Sequence, residues 1–367
     1  MRHRLMKIYP KLVVLACLSS LLVCGQTVPA HKTTRVVWVM TDGLRWQEVF
    51  AGADAGLLKD ADRKDFWRDS ADERRAVLMP FLWSVVAKDG QIYGNKLKGA
   101  EASVTNGLNF SYPGYNESLT GVADPRIDSN DEKYNPNVTV LEWLHGKPGF
   151  RGRIAAFGAW DAFPFIFNAP RAGFPVNAGF DAMPGFAGNA RMELLNQLKA
   201  DAPRDWSDEP YDNLTFHTAM EYLKQRKPRV MYLSLGETDD WAHAGKYGEY
   251  LRSAERADGY LKTLWEALQA MPEYRGVTTL IFSTDHGRGD GPEWTSHGQK
   301  NPESKYIWMA FLGPDTRALG ERTNVAPVKQ NQIAATLAAL LGEDYHAVVP
   351  ASGAAIGDVI GAWSGRR

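Results

Sequence analysis

Beyond residue 30 the sequence contains no cysteine. The chain of 367 residues has two, Cys17 and Cys24, and both lie among the first thirty residues. If those residues are removed on export, the remaining chain can form neither a disulfide nor a thiolate metal site. Any metal ion would then depend on histidine and carboxylate ligands.

Long hydrophobic runs are almost absent too. The one clear run, Leu12 to Cys24, follows four basic residues and precedes the small-residue ending "VPA" at 28–30. Thirteen residues are too few to span a bilayer comfortably, so residues 1–30 are predicted to be a signal peptide that directs the chain to the periplasm or outside. The alternatives are an uncleaved N-terminal membrane anchor and lipidation of Cys17 or Cys24.

The sequence also lacks an excess of charge, internal repeats and a Pro/Ser-rich linker. It has 42 basic and 43 acidic residues, and loss of the four basic residues before Leu12 leaves 38 against 43, a net charge of about −5. This balance excludes the basic footprint of a nucleic-acid-binding protein. With no linker in sight, residues 31–367 are predicted to form a single domain.

Short, continuously apolar runs alternate with helical patterns. The amphipathic stretch "YGEYLRSAERADGYLKTLWEAL" predicts a helix, as does "NQIAATLAALLG". Runs that are apolar on both faces predict a largely parallel sheet covered by helices on each side, an α/β three-layer sandwich. The predicted strands are "RVVWVM" (35–40), "RIAAFG" (153–158), "RVMYLSLG" (229–236), "TTLIFSTD" (278–285) and "YIWMAFLG" (306–313).

Acidic residues follow three of these strands. Asp42, Asp239 and Asp285 each come at or just after a carboxyl end, the edge where open α/β sheets build their sites. Any one of them alone is more simply read as a turn residue or helix cap. Three at one edge indicate a site.

Three of the eight histidines stand beside these acids: His243, His286 and His297. Asp239 and His243 are four residues apart, a spacing that brings both side chains to one ion. Asp285 and His286 are adjacent and point in different directions, so they can serve two neighbouring ions. Carboxylate and imidazole ligands without thiolate suit zinc or another borderline divalent ion, with Mn²⁺ not excluded.

The blocks "VMTDGLRWQEVF", "NFSYPGYNESLTG", "LGETDDWAHAG", "FSTDHGRG" and "TSHG" resemble, in order and spacing, the alkaline phosphatase superfamily. They are closest to its type I phosphodiesterase/nucleotide pyrophosphatase branch and related bacterial phosphatases. The resemblance implies an alkaline phosphatase-like catalytic domain that acts on a small-molecule phosphate ester with two zinc ions.

Residue by residue, the resemblance implies that Asp42, Asp285 and His286 hold one ion. Asp239 and two histidines would hold the other, the histidines being His243 and His297. Ser111 matches the nucleophile, which would form a phosphoserine intermediate while the second ion stabilises the leaving oxygen.

The substrate contacts are less clear because the chain departs from its relatives here. Gly114 replaces the phosphate-binding asparagine of the diesterase branch. The Pro-Gly corner instead resembles that of bacterial monoesterases, which have such an asparagine about twenty residues further on, and this resemblance makes Asn130 the first candidate, with Asn109 and Asn116 behind it. "AWD" at 159–161 replaces a Lys-x-Arg pair of related monoesterases. Loss of two cations weakens the binding of a dianionic monoester more than the binding of a monoanionic diester. This difference favours phosphodiesters as substrates. Of the aromatic residues near these motifs, Trp160 among them, most are expected to pack in the core or in loops.

Two other functions fit parts of the sequence. A sulfatase of the same superfamily is suggested by Ser111-x-Pro113, which echoes the Ser/Cys-x-Pro-x-Arg start of that family, although Tyr115 occupies the arginine position. A secreted, non-catalytic binding protein on this fold would require a missing ligand, and every matched position is filled. A metal-independent serine hydrolase is disfavoured because "NFSYPG" lacks the Gly-x-Ser-x-Gly elbow.

Overall fold

A computed structural model describes residues 31–361. The predicted signal peptide and both cysteines lie outside this range. Ten strands follow one another along the chain: β1 (Arg35–Thr41), β2 (Gln91–Tyr93), β3 (Ala102–Ser103), β4 (Ile154–Gly158), β5 (Val176–Ala178), β6 (Val230–Leu235), β7 (Thr278–Thr284), β8 (Met309–Leu312), β9 (Gly320–Glu321) and β10 (Val328–Lys329).

The described α-helices are α1 (Trp46–Ala51), α2 (Asp60–Phe66), α3 (Ala71–Leu78), α4 (Ala87–Asp89), α5 (Ser111–Thr120), α6 (Val140–His145), α7 (Phe163–Ile166), α8 (Ala169–Ala172), α9 (Ala190–Asp201), α10 (Asp212–Arg226), α11 (Glu237–His243), α12 (Tyr247–Ala270), α13 (Ile333–Leu340) and α14 (Gly357–Ile360). Between residues 31 and 361 no helix combines the length and apolar character that a membrane crossing requires.

Eight strands form one sheet in the order β5-β4-β6-β1-β7-β8-β2-β9. The five strands from β5 to β7 are parallel, whereas β8 runs antiparallel to both β7 and β2. All five predicted strands lie in this sheet, which confirms the mostly parallel α/β fold. β3 and β10 pair separately as a small parallel sheet.

Both faces of the sheet are buried, as the continuous hydrophobic runs predict. Along β1, Val37 and Val39 point into one core, which contains the apolar face of α12, while Val36 and Trp38 point into the other, which contains residues of α5 and α13. Alternation along a strand sends successive side chains to opposite faces. The result is three layers, helix, sheet and helix.

The topology places the chemistry-bearing loops side by side. β6, β1 and β7 are neighbours in the sheet and parallel, so the segments that follow them meet at one edge. Asp42 follows β1, α11 follows β6, and Asp285 with His286 follows β7. The predicted ligands are thus brought together by strand order, although they are up to about 250 residues apart in the chain.

Candidate metal centre and nucleophile

Asp42, Asp285 and His286 form the first group of potential ligands, and all three are buried. Nε2 of His286 lies 3.1 Å from Oδ1 of Asp42 and 3.4 Å from Oδ2 of Asp285. Neither of these carboxylate oxygens accepts a hydrogen bond from the described part of the chain. Unpartnered buried oxygens that converge with a ring nitrogen are what a bound cation would satisfy.

The orientation of His286 fits the same reading. Its Nδ1 lies 2.8 Å from the carbonyl oxygen of Gly287, which can only accept a hydrogen bond, so Nδ1 carries the proton. Nε2 therefore faces the carboxylates and is the nitrogen that a bound ion would contact, as in histidine ligands whose other nitrogen is tied to a backbone carbonyl.

The second group consists of Asp239, His243 and His297. One turn of α11 brings Nε2 of His243 to 3.0 Å from Oδ2 of Asp239, and His297 enters from a loop with its Nε2 also 3.0 Å from that of His243. The rings of His286 and His297 stack at 4.2 Å, so the two groups are adjacent. The structure thus brings together all six residues predicted as ligands.

The electrostatic surroundings of the ionisable side chains differ between the two groups. Burial raises the pKa of Asp285 well above its usual value, and the facing Asp42 carboxylate raises it further. Burial disfavours the charged form of His286, but Asp285 and Asp42 outweigh it and raise its pKa to about 9. Burial lowers the pKa of His297 to about 2, helped by the neighbouring His286. His297 is therefore a neutral imidazole with a free lone pair, the form that binds a metal.

Ser111 is the first residue of α5 and is almost fully buried. Its Oγ lies 3.3 Å from Nε2 of His286, at the edge of the first ligand group. Gly114, one turn later, packs directly on β7: a Cβ atom there would come within 2.6 Å of the carbonyl oxygen of Asp285. The glycine that replaces the diesterase asparagine is thus required by the close approach of helix and strand.

The loop before Ser111 is held by Glu117, which is fully buried in α5. Its carboxylate accepts hydrogen bonds of 2.8 to 3.0 Å from the backbone and side chains of Thr105 and Asn106. Asn106 in turn accepts from the amides of Leu108 and Asn109. This network fixes the entry into the helix that carries the serine.

The three candidate asparagines differ in position. Oδ1 of Asn130 accepts a 3.0 Å hydrogen bond from the amide of Tyr112, and Asn130 lines the cavity over Ser111. Asn109 is buried with its Oδ1 unpartnered, and it does not line that cavity.

Asn116, like Asn109, does not line the cavity. It lies five residues into α5 and therefore projects from a different face of the helix than Ser111. Its side chain bonds to Val122, Asn135 and Asn137 and supports loops. The prediction of a substrate contact at Asn116 is corrected accordingly.

Two residues support the ligands and are absent from the predicted site. Tyr115 is buried, and its hydroxyl lies 2.8 Å from Oδ2 of Asp42, to which it donates. Arg288 is buried and donates to Asp239 and to the carbonyl oxygens of Trp294 and Thr295. Tyr115 and Arg288 both lie within the sequence motifs that predicted the site. Their positions in the sequence do not indicate that they contact Asp42 and Asp239.

A cavity of about 210 Å³ opens over Ser111. Ligand residues of both groups line it, together with Asn130. The other lining residues, called here the far wall, are Trp160, Asp208, Glu209 and Asp240. Burial raises the pKa of Glu209 well above its usual value, and the neighbouring carboxyl group of Asp240 raises it further. The pKa of Asp240 is raised to about 7, chiefly by burial. The remaining aromatic residues near the motifs do not line the cavity.

Comparison with known proteins gives one sequence match and several structural ones. The protein-family model described as Sulfatase matches residues 34–343, whereas no curated protein matches the chain. The fold is similar to that of the alkaline phosphatase PafA, with a TM-score of 0.59, 12% identity, and 90% of this chain and 99% of that chain covered.

Two further solved structures represent other activities on this fold. Murine ectonucleotide pyrophosphatase/phosphodiesterase 5 has a TM-score of 0.53 and 11% identity, with 85% of this chain and 96% of that chain covered. BT1596, a 2-O GAG sulfatase, has a TM-score of 0.52 and 14% identity, with 85% and 71% covered. At such identities the likeness shows a shared fold.

Proposed function

The chain belongs to the Sulfatase family within the alkaline phosphatase superfamily, and we propose that it hydrolyses phosphate esters, phosphodiesters in preference to monoesters, through a phosphoserine intermediate. It is a hydrolase of this superfamily. One observation carries the phosphoserine proposal: Oγ of Ser111 lies 3.3 Å from Nε2 of His286, at the junction of two adjacent ligand groups.

The two ligand groups suit two divalent ions, most simply zinc. Each offers carboxylate and imidazole donors without thiolate, and the first leaves two buried carboxylate oxygens unpartnered. When bound, such ions lower the pKa of a coordinated oxygen and stabilise negative charge on a leaving oxygen.

The chain's own residues supply nucleophile and orientation. Ser111 gives up its proton to solvent, and its Oγ forms a bond to phosphorus as the bond to the leaving oxygen breaks and the alcohol departs with a proton. Water then cleaves the phosphoserine and restores the hydroxyl. Asn130, anchored to the first turn of α5 through its Oδ1, is left with its amide N–H groups as donors for a phosphoryl oxygen.

The lining of the cavity supports diesters over monoesters. Within the described chain it contains no lysine or arginine, and "AWD" at 159–161 contributes an aromatic residue where related monoesterases have cations. A doubly charged monoester would form no ion pair with this lining. A singly charged diester needs fewer ion pairs to bind, so the same lining disfavours it less.

Sulfate ester hydrolysis is the second candidate, since the matching family is described as Sulfatase and Ser111-x-Pro113 echoes its nucleophile motif. The residue at the arginine position argues against it. Tyr115 is buried and donates to Asp42, so it offers no cation to a sulfate group.

The test compares p-nitrophenyl phosphate, bis-p-nitrophenyl phosphate and p-nitrophenyl sulfate with one zinc-loaded preparation. We expect the diester to be turned over fastest. Ser111→Ala should reduce turnover by at least about a thousandfold, because it removes the nucleophile, while the metal content stays near that of the wild type. Ser84→Ala is the control, since Ser84 is exposed and bonds only to the carbonyl oxygen of Pro80.

Acid-quenched wild-type protein should carry phosphate on the peptide that contains Ser111. Unchanged activity in Ser111→Ala would refute the role of this serine, and faster turnover of the sulfate ester would establish the second candidate. Export through residues 1–30 is part of the same proposal, and N-terminal sequencing of the secreted protein tests it.

A further inference from the structure

Arg288 takes no part in the hydrolysis as proposed above, yet its guanidinium is buried beside the second ligand group, with 1% of the residue exposed. All three of its side-chain nitrogens donate hydrogen bonds. Nε and Nη2 donate to the carbonyl oxygens of Trp294 and Thr295 at 2.9 and 2.7 Å, in the segment that leads to His297. Nη1 donates to Oδ1 of Asp239. Arg288 thus links the two parts of the chain that carry the second group.

The contact between Arg288 and Asp239 is enclosed by the backbone that follows β1. A Cβ atom on Gly43 would come within 2.6 Å of Oδ1 of Asp239 and 2.8 Å of Nη1 of Arg288, and Gly43 has a φ of +59°. A side chain at this position is therefore excluded both by space and by backbone conformation. Solvent ions screen a buried pair of this kind much less than a pair at the surface.

The carboxylates of the first group are supported differently, because their donors carry no charge. The hydroxyl of Tyr115 donates to Oδ2 of Asp42, and the backbone N–H of Gly43 donates to Oδ1 of Asp285 at 3.0 Å. Asp239, the single carboxylate of the second group, is bonded to a guanidinium instead. Among the described residues it is the one ligand carboxylate that forms a salt bridge with an arginine or lysine.

The formal charges of the two groups therefore differ. With neutral histidines, Asp42 and Asp285 give the first group a charge of −2, whereas the charges of Asp239 and Arg288 cancel in the second. Over a few ångströms, repulsion between a unit charge and a divalent ion changes affinity by orders of magnitude at the effective dielectric of a protein. The support that a neighbouring residue gives to a metal ligand contributes about ten- to hundredfold. We therefore expect the repulsion by Arg288 to outweigh its support.

We propose, building on the two-ion site of the function above, that Arg288 determines how tightly the second group holds its ion. The guanidinium positions Asp239 and the segment that leads to His297 before the ion binds, and its charge keeps the bound ion exchangeable. The active form is then reached only when free zinc is high enough to fill the second group.

The experiment compares two replacements of Arg288 in the full chain that differ in charge. Arg288→Lys keeps a positive charge opposite Asp239, whereas Arg288→Gln keeps a hydrogen-bond donor without the charge. Both variants lose the fork that holds the carbonyl oxygens of Trp294 and Thr295, so the difference between them reports the effect of the charge. Thermal unfolding checks that each variant is folded.

Zinc affinity is measured by competition with a chromogenic chelator, and His243→Ala identifies the binding step that belongs to the second group. We expect Arg288→Gln to bind this ion at least about tenfold more tightly than the wild type does, and Arg288→Lys to bind it about as the wild type does. Release of the ion to excess chelator, followed by stopped flow, should be slower in Arg288→Gln. Arg151→Gln is the matched control, since Arg151 is exposed before the amino end of β4, at the opposite end of the parallel strands from the site.

The zinc measurements need no substrate, so they separate this proposal from the proposed hydrolysis. Equal affinities in the two Arg288 variants, or weaker binding by Arg288→Gln than by the wild type, would overturn the proposal while the hydrolysis stands. Tighter binding by Arg288→Gln in a protein that cleaves none of the esters would refute the hydrolysis and keep the role of Arg288. A second group that binds no zinc in the wild type or in either variant would also overturn the proposal.

Discussion

Two buried charged clusters lie close together after β1, and they are built in opposite ways. In the first, Arg45 donates to Glu48 and to the carbonyl oxygen of Gly289, and Glu48 also accepts from the hydroxyls of Tyr247 and Tyr250. In the second, Asp42 and Asp285 crowd around His286 with two carboxylate oxygens unpartnered. The first cluster is complete within the chain. The second cluster is not complete, because two of its carboxylate oxygens have no hydrogen-bond donor in the described chain. This difference separates a structural cluster from a candidate metal site.

The largest expected effect comes from breaking the complete cluster. Glu48→Gln leaves the guanidinium of Arg45, which is 1% exposed, without its counter-charge. We expect the free energy of unfolding to fall by about 3–5 kcal/mol, measured by urea denaturation. The double replacement Arg45→Met with Glu48→Met removes both charges and should recover most of this loss. A loss below about 1 kcal/mol in the single variant would show that the two clusters do not differ as described.

The next effect is the response to metal removal, in which the incomplete cluster should take part and the complete cluster should not. Free zinc at a hundredfold excess over its dissociation constant stabilises the folded state by about 2.7 kcal/mol, so a chelator should lower the melting temperature of the wild type. Asp285→Asn should reduce this response, because the group of Asp239, His243 and His297 remains. Glu48→Gln should respond to the chelator as the wild type does, from a lower melting temperature. Equal melting temperatures with and without chelator would contradict metal binding.

The smallest effect concerns the hydrogen bond that Oδ2 of Asp42 receives from Tyr115. Tyr115→Phe removes this donor together with the contact between the tyrosine hydroxyl and Oγ of Ser234. We expect zinc affinity to fall about tenfold, as for other residues that support a metal ligand, with unfolding free energy changed by about 1 kcal/mol. Competition with a chromogenic chelator measures the affinity. An unchanged affinity would assign Tyr115 to packing.

Much of the fold was predictable because a strand that is buried on both faces of the sheet has a continuously apolar sequence. β1, β4, β6, β7 and β8 each coincide with a continuous apolar run. The antiparallel direction of β8 was not predictable, since such a run carries no information about orientation. The short strands, β5 among them, contain too few residues to show a pattern.

The site was predictable where ligands follow strands or lie four apart in a helix, as Asp239 and His243 do. His297 could be assigned to the ligand group of Asp239 only from family spacing, because it lies in an irregular loop. Glu209 has no sequence signal at all, because its contact with the carboxyl group of Asp240 arises only in three dimensions. Asn116 shows the converse, because closeness to Ser111 along the chain did not place it at the cavity.

The contact between Gly114 and the backbone of Asp285 divides the site into a fixed half and an adaptable half. The helix that carries Ser111 and the strand end that carries its neighbouring ligands are in direct backbone contact, so neither can move without the other. Trp160, Asp208 and Glu209 of the far wall, by contrast, come from the segment after β4 and the segment just before α10, whereas Asp240 comes from α11. Insertions and substitutions there would leave the fixed half untouched. New specificities could thus arise on this scaffold by changes in two loops while the reactive geometry is inherited intact.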